Sequence, residues 1–94
     1  MNAADLLTAA ADLVSGPRAA AHGDMHETHR NIATLWNVYM AMRPDATLPL
    51  LPSDVAMMMC LMKIARSQNG ADNPDDLMDA AGYLGIASQL RGDP

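Results

Sequence analysis

Phenylalanine is absent, and one tryptophan and two tyrosines are the only aromatic residues among 94. A groove that stacks nucleic-acid bases therefore has almost no platform to use. Basic residues are also few, with six Lys and Arg against eleven Asp and Glu and a formal charge of -5. That balance argues against direct nucleic-acid binding and against attachment to anionic membranes. A single cysteine, Cys60, cannot close an internal disulfide. The longest apolar run, Val55 to Met62, falls far short of the roughly 20 residues of a membrane span. No charged-then-apolar leader opens the chain, so a cytoplasmic protein is expected.

What is present points to one folded unit. Half the residues are apolar and 18% are charged, enough apolar surface for a core, and 94 residues suit a single domain over 1-94. Apolar spacing of three and four predicts an all-α protein, a compact four-helix bundle with helices at about 3-15, 24-42, 53-68 and 74-91. Asn2 is a cap for the first helix, and Gly16-Pro17 ends it. Asp24 and Glu27 open the second in the manner of a capping box, and Ile32, Trp36, Tyr39 and Met40 form its apolar stripe. Pro44, Pro49 and Pro52 predict an extended crossover. Ser53 then caps a third helix whose residues 55-62 are apolar on every face. A helix without a polar side must be surrounded, which predicts association through this helix, at least as a dimer. Asn69-Gly70 closes it, and Asn73-Pro74-Asp75-Asp76 reads as cap, first-turn proline and two first-turn acids of the fourth.

Three groups of residues could carry chemistry. Lys63 and Arg66 share a face of the third helix, while Asp76, Asp79 and Tyr83 share one on the fourth. A short antiparallel connection should bring them level. They form either interhelical ion pairs or a polar pocket in which the cations hold phosphate. The second group is His22, Asp24, His26, Glu27 and His29, where the histidines specify no complete metal set and the two acids are accounted for by capping. The third, Cys60 among methionines, reads as a buried inert thiol.

Arg18, His22-Gly23-Asp24, Leu35-Trp36, Asp54-Val55-Ala56-Met57-Met58, Lys63-Ile64-Ala65-Arg66 and Asp79-Ala80-Ala81-Gly82-Tyr83, in that order, resemble a family of small, largely uncharacterised phage and prophage proteins. The resemblance covers nearly the whole chain and implies the cytoplasm of an infected or lysogenic bacterial host. More distantly the arrangement is similar to the MazG-like all-helical nucleotide pyrophosphohydrolases, which use several carboxylates to hold magnesium. Carried over by position, Asp24, Glu27, Asp76 and Asp79 would be the metal ligands, although Glu27 is the only glutamate in the chain. Lys63 and Arg66 stand where those enzymes have acids. More fixed cation suits holding a phosphorylated ligand over activating water at a metal.

The resulting expectation is a binder of a nucleotide or nucleotide-like phosphate, a sponge or sensor in phage–host conflict, with a site of Arg18, Asp24, Lys63, Arg66, Asp79 and Tyr83. No cofactor is required, and magnesium enters only with a pyrophosphohydrolase alternative. The other alternative is an acidic inhibitor of a host defence complex, of anti-CRISPR type, presenting Asp72, Asp75 and Asp76 to a basic groove.

Overall fold

A computed structural model describes residues 1–16, 24–70 and 73–92. Among these residues all regular structure is helical: α1 (Ala3–Ser15), α2 (Met25–Met42), α3 (Pro52–Ser67) and α4 (Pro74–Gly92). Three helices begin at a side chain that satisfies an orphan first-turn N–H. Asn2 Oδ1 accepts from the Asp5 amide at 2.8 Å, Asp24 Oδ1 from His26 at 2.8 Å and Asn73 Oδ1 from Asp75 at 3.1 Å.

The start of α3 differs from expectation. Leu51 and not Ser53 occupies the cap position, because Asp54 turns back and its Oδ2 accepts the Leu51 N–H at 2.8 Å. Pro52, first in the helix, has no N–H to satisfy there. Upstream, α2 stops at Met42 because Arg43 precedes Pro44 and takes an extended backbone, φ -60° and ψ 143°. After α3, Gly70 adopts φ 75°, a left-handed turn that glycine enters without a side-chain penalty.

α3 is the central helix. Thr28, Trp36 and Tyr39 of α2 meet Asn69, Met58 and Asp54 in descending order, so α2 and α3 run antiparallel. The Trp36 indole N–H donates to the Met58 carbonyl at 2.7 Å. Lys63 and Arg66 meet Asp79 and Asp76 in the same reversed sense, so α4 is antiparallel to α3 as well. Eleven residues are three helical turns, which places Ala65 on the Asp54 side of α3. Ala56, Cys60 and Lys63, at spacings of four and three, share the opposite side toward α4. Ala56, Cys60 and Ala65 are buried, as are Ala80 and Ala87 on α4. These short side chains let the helix axes approach closely.

The four expected helices are present, but they do not close into a compact four-helix bundle. α2 and α4 cover opposite sides of α3, while α1 buries none of its residues. Periodicity revealed the apolar stripe of α1 but could not say what would cover it. Of the stretch expected to need neighbours from a second copy, Ala56 and Cys60 are buried within the chain, and Met57, Met58, Met59, Leu61 and Met62 are half-buried. The flanks of α3 at Val55 and Ile64 stay exposed.

Candidate functional site

The α3–α4 face holds the polar residues singled out from sequence. Two antiparallel helices joined by a short turn place residues equidistant from that turn at one level. Accordingly Lys63 Nζ lies 3.1 Å from Asp79 Oδ2, and Arg66 Nε lies 4.0 Å from Asp76 Oδ1. Lys63 is largely covered, with 17% of its side chain exposed, whereas Asp79 is 47% exposed. Asp76 is buried. One turn beyond Asp79 the half-buried Tyr83 joins Met78, Asp79, Gly82 and Ile86 around a shallow depression. A Cβ at Gly82 would meet nothing within 4 Å, so the floor is open at that point. The arrangement sets an ammonium, a carboxylate and a phenol along one edge. It can hold an anionic group at Lys63 and a flat or apolar moiety beside Tyr83.

Other expected members stand elsewhere. Arg18 and His22 lie outside the described residues. Asp24 caps α2 through the His26 amide, and Glu27 is exposed in the same first turn. Thr28 meets Asn69, so the cap position of α2 stands about one turn beyond the α3 C-terminus, roughly 15 Å along the axis from Lys63 at 1.5 Å per residue. His29 Nδ1 is 2.7 Å from the Met25 carbonyl, so its ring is engaged with its own helix. Among the described residues no group of three or more His, Cys, Asp or Glu side chains converges to hold a metal. Asp76 and Asp79 instead face cations. The carboxylates Asp24, Glu27, Asp76 and Asp79 therefore do not fit a magnesium ion, since a hard cation needs several oxygen donors around one point.

A second polar centre was missed from the sequence. Tyr39 Oη donates to Asp54 Oδ1 at 2.6 Å, and Arg43 Nη2 lies 3.6 Å from Asp54 Oδ2 while donating to the Pro49 carbonyl at 2.7 Å. The side chains of Arg43 and Asp54 are 7% and 11% exposed. Arg91 of α4 interacts with the same Tyr39 hydroxyl. Donation from Tyr39, then from the Leu51 amide, holds the Asp54 carboxyl below its ordinary range, against the opposing effect of burial. Burial pushes the Tyr39 phenol up, and the Asp54 carboxylate adds to this while Arg91 opposes it. Arg43 Nη1 is buried without a hydrogen-bond partner. The centre ties α2, the crossover, α3 and α4 together at one end of the molecule. Periodicity places Tyr39 in the apolar stripe of α2, and Asp54 stands next to the expected cap residue Ser53. The available signal was the four-residue spacing of Tyr39 and Arg43, which puts a phenol and a guanidinium on one face of α2.

Cys60 is buried, and burial pushes its thiol up, away from a reactive thiolate. Among the described residues no helix is long and apolar enough to cross a membrane.

Residues 5–91 match a family model described as Domain of unknown function (DUF6378). The Gene 55 protein of Mycobacterium phage L5 is 38% identical over 86 residues, covering 92% of this chain and 52% of the relative. The Gene 55 protein of Mycobacterium phage D29 is 32% identical over 89 residues, covering 95% of this chain and 55% of the relative. The chain thus spans about half the length of the curated relatives it matches. No solved structure matches it.

Proposed function

The chain belongs to the DUF6378 family, and we propose that it binds a phosphorylated, nucleotide-like ligand on the α3–α4 face. One observation carries this reading: the Lys63 ammonium is held 3.1 Å from Asp79, which together with Tyr83 lines the depression. An ammonium has three donors, and Asp79 fixes its direction while further donors serve phosphate oxygens. Arg66, one turn along α3, adds a second cation whose planar fork matches phosphate. Tyr83 offers a ring to the base or sugar. Among the described residues the carboxylates that magnesium-dependent hydrolysis needs do not converge, which favours binding over turnover. The phage origin of the relatives suits a ligand that is sequestered or sensed during infection.

Calorimetric titration with a panel of nucleoside triphosphates and cyclic dinucleotides tests the reading. Lys63→Ala and Arg66→Ala should each weaken binding at least about tenfold, the loss of one charge-assisted contact. Gly82→Leu should fill the depression and block the ligand while circular dichroism stays unchanged. Unaltered affinity in both cation variants, or no binding across the panel, refutes it. Pyrophosphate release with added magnesium would replace binding by catalysis.

A further inference from the structure

The apolar stripe of α1 has no cover in its own chain. Leu6, Leu7, Leu13 and Val14 are 59%, 68%, 52% and 70% exposed. At 100° per residue they occupy one sector with Ala3 and Ala10, and Asp5, Thr8, Asp12 and Ser15 take the opposite side. A 13-residue helix is marginal in water unless such a stripe is packed.

We infer that a second copy of this chain covers it, in a two-fold dimer where α1 of each copy packs on the other. The size of the uncovered surface suits a second copy as the occupant. The chain exposes 6757 Å², whereas a compact monomer of 10.0 kDa exposes about 5,200 Å², an excess of about 1,500 Å². The radius of gyration is likewise 15.8 Å, against about 12.4 Å for a compact domain of 94 residues. Permanent homodimers bury about 1,000–2,500 Å² on each partner, and the excess falls within that span. Receiving surface is available on the same chain. Leu77 and Leu84 flank the buried stripe of α4, and Leu48, Leu50 and Val55 lie exposed around the start of α3. No charge interrupts the α1 stripe, so pairing it buries no unpaired ion. The assembly expected through α3 is thereby reassigned to α1, since α3 is already sandwiched between α2 and α4.

Sedimentation equilibrium of the full chain over micromolar concentrations should give about twice the 10.0 kDa mass. Amide exchange of residues 3–15 should slow as concentration rises. The double variant Leu6→Glu/Leu13→Glu should raise the dissociation constant at least about 100-fold, since two leucines per copy leave the contact. Lys63→Ala should leave it unaltered, which separates this inference from the ligand site. A single-chain mass throughout overturns it, as does a dimer whose α1 exchange ignores concentration. If the double variant does not fold, exchange in the unmodified protein decides. A foreign protein seated on α1 of an otherwise monomeric chain also overturns it.

Discussion

Replacing Asp54 by asparagine strips the charge from the most enclosed ion pair among the described residues while keeping the side chain's size. The carboxylate accepts from Tyr39 at 2.6 Å and from Leu51 at 2.8 Å, and balances Arg43 at 3.6 Å. A hydrogen bond to a charged group contributes about 1.5–3 kcal/mol, and removing one partner of a buried pair costs about 3–5 kcal/mol. These figures describe overlapping contacts and do not add. Asparagine retains one acceptor oxygen, so the lower end applies and Asp54→Asn should lose about 3 kcal/mol. A small domain has about 5–15 kcal/mol in all, so the variant should fold with a much lower urea midpoint. Urea titration by circular dichroism, at one fixed protein concentration and with an unchanged slope, gives the value. The pH dependence follows from the lowered folded-state pKa of Asp54, set first by the Tyr39 hydroxyl. A depressed carboxyl stabilises the fold above its unfolded value, about 3.9, and that stabilisation disappears as pH falls through the lower folded value. The gap between the parent protein and the variant should therefore hold from neutrality to about pH 4 and narrow below it. A loss under about 1 kcal/mol at neutral pH, within the range of an exposed pair, would refute the assignment of this contact as a buried tie.

Tyr39→Phe should cost about 1–2 kcal/mol and couple to Asp54→Asn in a double-mutant cycle, with additivity as the contrary result. Trp36→Phe removes the donor to the Met58 carbonyl and should lower stability by about 1–2 kcal/mol in the same titration. Gly70→Ala forces a side chain into φ 75° and should cost about 1 kcal/mol. Lys63→Ala should change stability by less than about 1 kcal/mol, because Asp79 is half exposed, even where ligand affinity falls. Cys60 should react with a thiol reagent only as fast as the chain opens, and labelling at the rate of a free thiol would contradict its burial.

The helix starts at Asn2, Asp24 and Asn73 were legible because capping depends on a side chain and an amide two or three residues away. Lys63 opposite Asp79 was legible for a related reason, since a short turn fixes how far each residue stands from it. The start of α3 lies two residues before the expected cap at Ser53, because Asp54 turns back to accept the Leu51 N–H and draws Leu51 into the cap position. Tyr39, Arg43 and Asp54 were not legible as a group. Their meeting depends on the path of a proline-containing crossover that sets the α2–α3 register, and no local rule specifies that path. The stripe of α1 is visible in any helical projection, but a projection contains no information about the surface opposite.

The buried apolar positions that α3 turns toward α4, Ala56 and Cys60, and those of α4, Ala80 and Ala87, have almost nothing to remove. Mutational tolerance along this line is therefore inverted relative to a leucine-filled interior. Trimming erases at most a methyl or a thiol, while enlarging any one position wedges the helices apart at about 1–3 kcal/mol. Lys63 reaches Asp79 at 3.1 Å across this narrow gap, so a bulky residue at position 80 should disturb the polar edge without touching it.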